Sequence, residues 1–145
     1  MVAAATAALD RTVMTPHRMV TTPELSRPVG YAHAVIAAPG RLLHLGGHTA
    51  QDADGVVRGD IVAQLDAALR NVCATLRAAG SQPDHVVSMV MYLTDMDAYR
   101  AARPALGPVW QRHFGRQYPA LAAVEVSQLF DPGALVELMA VAVIP

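Results

Sequence analysis

The chain has 145 residues, 53% of them hydrophobic, which is enough for one domain with a sizeable buried core. Its net charge is −1 and it contains no run of basic residues, which excludes a protein that binds nucleic acid through the phosphate backbone. All 11 basic residues are arginine, so Schiff-base catalysis by a lysine is also excluded. The single cysteine, Cys73, leaves no internal disulfide and no CxxC site, and a reducing cytoplasm is the simplest location.

Residues 1–17 are predicted to be a flexible N-terminal extension, and residues 18–145 a single domain. The extension is rich in small residues, shows no clear apolar period and ends near a Thr15-Pro16 break. It lacks the basic start and the sustained apolar stretch of a signal peptide. Elsewhere no uncharged apolar stretch reaches the roughly 18 residues that a membrane-spanning helix needs, so we expect no membrane association.

Two strands are predicted after the extension. The run at 31–37 is rich in strand-forming residues, and the Pro39-Gly40 turn signal connects it to a second run at 41–49, so the two are predicted to form a hairpin. Gly46 and Gly47 within the second strand indicate a bulge or a close backbone approach. A polar loop follows at 51–60.

Two helices alternate with the remaining strands. Apolar residues spaced by three and four predict a helix over 60–79, with Asp60 as N-cap and Gly80 as its end. An almost continuous apolar run at 85–93 predicts a buried strand. A second helix is predicted over 97–114, broken or kinked by Pro104, Gly107 and Pro108. Strands at 121–129 and 134–144 are predicted to close the chain as a second hairpin.

The element order β-β-α-β-α-β-β predicts an α+β fold, a mixed sheet with both helices on one face. Both faces of the last strand are apolar, and two helices cover only one of them. We therefore expect the other face to be buried against copies of the same chain in a closed ring.

Two carboxylates interrupt the apolar C-terminal strands. Glu137 is predicted to be a partly desolvated acid–base group, the alternative being a side chain that reaches solvent or an arginine of another copy. For Glu125 the alternative is favoured, namely a side chain that reaches solvent or an arginine of another copy. If the last hairpin is centred near Asp131, the two glutamates face each other across it.

Several histidines and one tyrosine are further candidates. His33 and His48 are candidate pocket bases, although a surface or hydrogen-bonded histidine is the commoner case. His44 and His48 lie roughly 13 Å apart on one strand face, too far to chelate one ion, and no metal motif is present. Tyr31 either offers its phenol to a ligand or packs. No nucleophile elbow and no phosphate-binding loop is found.

Four segments resemble the Rid family (YjgF-type, reactive-intermediate imine deaminases). They are GRLLHLGGHTA at 40–50, RGDIVAQLDAALRNVCATLRAAGS at 58–81, VVSMVMYLTDMDAY at 86–99 and PALAAVEVSQLFDPGALVELMAVAV at 119–143. The resemblance implies a chorismate-mutase-like fold, a homotrimer around a β-barrel, and small-molecule clefts between subunits. It also implies hydrolysis of imine or enamine acids to keto acids and ammonia, without a metal or another cofactor.

The resemblance transfers to this chain residue by residue, with departures. The family's glutamate falls on Glu137 and its tyrosine on Tyr31. Its carboxylate-clamping arginine falls on Leu121, and its serine on Gly46. His33 and His48 stand at positions where the family has glutamines. The resemblance thus implies a catalytic set of Glu137, His48 and Tyr31, and a substrate-binding set of Leu121, Gly46, His33, Ala123 and Glu125.

Leucine in place of the arginine predicts a substrate without the usual carboxylate, because an unpaired carboxylate in an apolar pocket is costly. Three hypotheses remain open. The first is a divergent enzyme with Glu137 as general base and His48 or His33 as a second acid–base group. The second is a trimer that binds a metabolite, or a partner, without turnover. The third is an ordinary 2-imino acid deaminase. The ribonuclease activity attached to some relatives is disfavoured by the lack of a basic patch.

Overall fold

The computed structural model describes residues 15–145, so residues 1–14 of the predicted extension lie outside the described part of the chain. It contains six strands, two α-helices and one 3₁₀ turn. In chain order they are β1 (Arg18–Val20), β2 (Ala34–Ile36), β3 (Arg41–His48), α1 (Ile61–Ala78), the 3₁₀ turn (Pro83–His85), β4 (Val86–Leu93), α2 (Met96–Phe114), β5 (Ala120–Glu125) and β6 (Val136–Ile144).

The main sheet has four strands in the order β3-β6-β4-β5. β6 is antiparallel to both of its neighbours, and β5 runs parallel to β4, the connection between them being α2. The two predicted hairpins are therefore wrong. β2 pairs with β1 in a separate two-stranded sheet, and β5 and β6 are separated by β4.

The first helix follows its sequence signals. The Asp60 side chain accepts a hydrogen bond from the Ala63 backbone N–H at 2.9 Å, which caps the N-terminus of α1. At the other end the chain turns through Gly80, whose φ of +72° favours glycine.

The second helix is continuous from Met96 to Phe114, so the predicted break is wrong. Pro104 and Pro108 are both exposed and lie four residues apart, hence on the same outer side of α2. Water can bond the carbonyls that lose a backbone partner there, and the buried side, with Leu106, Val109 and Trp110, stays intact.

Both helices pack on one face of the main sheet and form a single core with it. Because strand residues alternate, Leu42, Val124 and Met139 fall on the opposite face, where their exposed fractions are 66, 40 and 42%. Apolar surface of this kind on a sheet face is what a subunit interface requires.

The segment that leads into β1 is docked at its described end. Thr15 Oγ1 donates to the Asp84 carbonyl at 2.8 Å. His17 is 5% exposed, accepts from the Ala38 backbone N–H through Nδ1 at 3.0 Å, and bonds the His85 carbonyl through Nε2 at 3.1 Å. His17 thus ties β1 to the loop after β2 and to the 3₁₀ turn.

Candidate functional site

A cavity of about 560 Å³ lies beside strands β4 and β5. The segment before β2 forms its outer wall, because Ala32 bridges to Ala120 and donates its backbone N–H to the Pro119 carbonyl at 2.9 Å. This bridge brings two of the predicted site residues, Tyr31 and His33, to the cavity.

His33 presents an unusual nitrogen at this cavity. Its Nε2 lies 3.1 Å from the Ser26 carbonyl, which only a ring N–H can bond, so Nε2 is the protonated nitrogen of the neutral ring. Nδ1 is then a bare acceptor, and it is buried without a partner among residues 15–145. The rings of Tyr31 and His33 lie 5.8 Å apart, so the phenol and the imidazole form one polar side of the cavity.

No residue that lines this cavity carries an acidic side chain, an arginine or a lysine. Leu121, predicted from the resemblance to replace an arginine, lines it and also packs against the hydrophobic core. The hydrogen-bonding side chains at the cavity are those of Ser26, Tyr31, His33 and Ser88. Within one chain the cavity therefore suits a neutral ligand with hydrogen-bonding groups.

Glu137 lies elsewhere, on β6, half-buried and paired in register with Tyr92 of β4. Its side chain rests directly on the backbone of Gly47: a Cβ built on Gly47 would lie 1.9 Å from Glu137 Oε1 and 2.8 Å from its Cδ. The register of β3 against β6 shifts between Leu45 and His48, so both the predicted bulge and the close backbone approach are confirmed. Gly47 thus makes room for the Glu137 carboxylate.

His48 uses both ring nitrogens in hydrogen bonds. Nδ1 lies 2.7 Å from the Gly46 carbonyl and Nε2 lies 2.7 Å from Thr75 Oγ1 of α1. The carbonyl accepts only from an N–H, so in the neutral ring Nδ1 carries the proton and Nε2 accepts from the hydroxyl. This arrangement fastens the end of β3 to α1 and leaves neither nitrogen free for a proton transfer.

The two remaining predicted residues lie on β5. Glu125 Oε1 accepts from the Met96 backbone N–H at 2.9 Å, at the N-terminus of α2, where a carboxylate is stabilised by the helix dipole. Glu125 pairs with Leu93, whereas Glu137 pairs with Tyr92, so the predicted face-to-face arrangement of the two glutamates is wrong. Ala123 is exposed on the same strand.

Apart from Ala123 and Glu125, the predicted site residues thus form two groups within one chain. Tyr31, His33 and Leu121 meet at the cavity, while Gly46, His48 and Glu137 lie at the β3–β6 bulge. β4 separates the groups, which puts Glu137 about 10 Å across the sheet from β5 and about another 10 Å along it from Leu121. One copy of the chain does not bring the carboxylate to the cavity.

Ser88 is a cavity residue that sequence reasoning did not select. The signal that identifies it is the one serine within the largely apolar run of β4. In space Ser88 joins Tyr31 and His33 at the same cavity.

Residues 15–145 contain no group of three or more His, Cys, Asp or Glu side chains placed to hold a metal ion. Among the described helices, none is both long and apolar enough to cross a bilayer.

Comparison with known proteins identifies the family. The family model described as endoribonuclease L-PSP matches residues 22–144. A RutC family protein of Pyrococcus horikoshii is 33% identical over 127 residues, which are 86% of this chain and 95% of the relative. The chain belongs to the Rid family. A 2-iminobutanoate/2-iminopropanoate deaminase of Capra hircus is 31% identical to this Rid protein over 129 residues, 87% of this chain and 89% of the relative.

Solved structures agree with this assignment. The Rid family protein YyfB of Yersinia pestis superposes with a TM-score of 0.79 at 29% identity, covering 88% of this chain and 98% of that one. The predicted resemblance and the predicted α+β fold, two helices on a mixed sheet, are both confirmed.

Proposed function

We propose that this Rid protein is a divergent enzyme that hydrolyses a small imine or enamine, or a related metabolite, lacking the usual carboxylate. The products would be a carbonyl compound and ammonia, without a cofactor. The reaction type is supported by the name of a relative, the imine deaminase of Capra hircus. The single buried cysteine, Cys73, supports a cytoplasmic location.

The uncharged lining of the cavity carries the substrate proposal. A ligand carboxylate beside Leu121 would lose its water without gaining a guanidinium, which costs several kcal/mol. A neutral ligand pays a much smaller desolvation cost there, and the hydroxyl groups of Tyr31 and Ser88 are available to hydrogen-bond it.

Glu137 would be the general base. Its carboxylate takes a proton from water, the water oxygen attacks the C=N carbon, and the protonated Glu137 passes that proton to the nitrogen. In the resulting carbinolamine Glu137 moves the hydroxyl proton to the nitrogen, the C–N bond breaks to release ammonia, and the C=O bond forms. Contact with the Gly47 backbone holds the carboxylate in one place, which supports this role.

We further propose that the working unit is a homotrimer whose clefts lie between subunits. Two observations support this: the exposed apolar sheet face around Met139 and Leu42, and the separation of Glu137 from the cavity within one chain. A neighbouring copy would then supply the Glu137 carboxylate that one chain does not bring to its own cavity. Light scattering is expected to give three times the chain mass. Met139→Glu should reduce that mass, while Ala74→Glu, on the exposed side of α1, should leave it unchanged.

The alternative is a trimer that binds its ligand without turnover. The structure of the His48 site favours this alternative, because a predicted second acid–base group has both ring nitrogens committed to hydrogen bonds. In that case Glu137 contributes to affinity rather than to rate.

An imine-hydrolysis assay separates the hypotheses. Imines without a carboxylate are generated in situ from primary amines by an amine oxidase, and imino acids from amino acids by an amino-acid oxidase. The remaining imine is trapped with semicarbazide. We expect faster loss of the carboxylate-free imine than in buffer, no such acceleration with Glu137→Gln, and full acceleration with the surface control Glu24→Gln.

Leu121→Arg tests the substrate preference. It should shift the preference toward imino acids by about 10- to 100-fold, the effect of one charge-assisted hydrogen-bonded pair. Acceleration of imino acids alone by the unaltered protein would establish an ordinary deaminase instead. If the protein accelerates the hydrolysis of neither class of imine, the hypothesis of a trimer that binds its ligand without turnover is the one that remains.

A further inference from the structure

A second, larger cavity lies on the other side of Tyr31. It is a groove of about 1,420 Å³ between β1, the 3₁₀ turn and the segment that follows α2. It shares only Tyr31 and Ala32 with the first cavity, and none of the residues assigned above to the reaction except Tyr31 lines it. The groove is therefore a separate site.

Asp84 is the unusual residue of this groove. It is only 8% exposed, yet its carboxylate forms no hydrogen bond and no ion pair with any residue from 15 to 145. Its oxygens are not among the fully enclosed polar atoms of that part of the chain, so they are reached from the groove. Burial raises the pKa of the Asp84 carboxyl above its ordinary value of 3.8.

Neither neighbouring imidazole forms a salt bridge or hydrogen bond with the Asp84 carboxylate, although the charge of His85 acts to lower the pKa of that carboxyl. Both nitrogens of His17 bond backbone groups, and the Nδ1 of His85 bonds Ser81 Oγ at 3.0 Å. A buried carboxylate without a partner costs free energy, and a bound cation or hydrogen-bond donor would recover it. This marks Asp84 as a ligand contact rather than a structural ion.

Arg116 supplies the opposite charge in the same groove. It is exposed, and within residues 15–145 its guanidinium makes no ion pair. The Arg116 guanidinium lies more than 4.0 Å from the Asp84 carboxylate, so the two groups do not form a salt bridge with each other. The groove thus presents a separated negative and positive group, and Tyr31 and Tyr118 also line it.

We propose that this groove is a binding site for a small zwitterion, a molecule of the amino-acid class whose ammonium group pairs with Asp84 and whose carboxylate pairs with Arg116. A guanidinium binds a carboxylate in a bidentate manner, while a compact ammonium fits beside a recessed carboxylate. A ligand with only one charge satisfies one of the two groups and leaves the other unpaired.

Calorimetric titration of the full chain with a series of ω-amino acids tests this proposal. The series runs from glycine through β-alanine and 4-aminobutyrate to 6-aminohexanoate, and so varies the distance between the charges. Butylamine and butyrate, at matched ionic strength, are the single-charge controls. We expect saturable binding at millimolar concentration, strongest for one chain length, and about tenfold weaker binding of both controls.

Two variants test whether Asp84 binds the ammonium group of the ligand and Arg116 its carboxylate. Asp84→Asn should weaken zwitterion and butylamine binding about tenfold, whereas Arg116→Gln should weaken the zwitterion and leave butylamine unchanged. Asp54→Asn and Arg70→Gln, both exposed and outside the groove, are the matched controls. Backbone amide shifts on binding should fall at residues 82–85 and 113–118.

The proposal is overturned if no member of the series binds better than butylamine and butyrate, or if Asp84→Asn binds like the unaltered chain. Asp84→Asn removes a buried charge, so a melting temperature at or above that of the unaltered chain will show that it is folded. The titration measures no turnover, so its result is independent of the imine assay.

Discussion

Gly47→Ala tests whether the Gly47 backbone positions Glu137. The added Cβ would lie 1.9 Å from Oε1 of Glu137, whereas ordinary contact begins at 3.4 Å. The carboxylate must therefore retreat by about 1.5 Å, and a displacement of that size at a catalytic group costs roughly 100-fold in rate. The crowding should also cost about 1–2 kcal/mol in the free energy of unfolding.

Gly46→Ala is the matched control for the contact, because its Cβ would meet no atom within 4 Å. Neither glycine has a positive φ, so alanine fits the backbone at both positions. Gly46→Ala should stabilise the fold by about 0.5 kcal/mol, through the lower entropy of the unfolded chain.

Urea unfolding of four proteins measures the effect directly: the unaltered chain, Gly47→Ala, Glu137→Ala and the double variant. Once Glu137 is removed, Gly47→Ala should be as harmless as Gly46→Ala, so the double-mutant cycle should give a coupling of about 1 kcal/mol or more. The imine assay then measures the loss of rate in Gly47→Ala. Equal stabilities of Gly47→Ala and Gly46→Ala, with no coupling, would refute the contact and the positioning argument with it.

Three further predictions concern stability. The pKa of Asp66 lies below its ordinary value of 3.8, chiefly because the His113 imidazole of α2 donates a hydrogen bond to its carboxylate. The contribution of Asp66 to the free energy of unfolding is therefore present above pH 3.8 and is lost as the pH falls through the lowered pKa. Asp66→Asn should thus cost about 1 kcal/mol at pH 7, and this cost should shrink as the pH falls through the lowered pKa, measured by thermal unfolding. Gly40→Ala places its Cβ 2.2 Å from the backbone carbonyl oxygen of Ile144, and should cost more than Gly47→Ala because a backbone atom cannot rotate away. His17→Ala removes both bonds that fasten β1 and should cost about 2 kcal/mol in urea unfolding; a cost near zero would show that β1 is held by other contacts.

Both helices and most of the strands could be predicted from local sequence, β1 being the exception, but the pairing of the strands could not. The cap at Asp60 and the apolar spacing of α1 define that helix within its own residues. The Pro39-Gly40 signal does mark a turn, but β3 leaves it to pair with β6, with Arg41 opposite Ile144. Strand pairing over such a separation depends on the whole core, which no local pattern encodes.

The candidate site shows the same division. Glu137 stands out in the sequence because a carboxylate interrupts an apolar strand, and the Gly46-Gly47 pair predicts the bulge that receives it. The hydrogen bonds of His48 to Thr75 and of Glu125 to Met96 join distant parts of the chain, so their structural roles appear only in three dimensions. The same holds for Ser88, which only the fold brings next to Tyr31.

The position of β6 in the main sheet has a consequence for biosynthesis. β6 is made after the other strands of the main sheet, yet it is an inner strand, between β3 and β4. Until the ribosome has released it, β3 lacks its only strand partner in the main sheet and β4 lacks one of its two, so both present unpaired backbone groups and apolar side chains. The sheet therefore cannot close before β6 has been synthesised, and a nascent chain stalled short of residue 136 would be a substrate for chaperones rather than a partly folded domain.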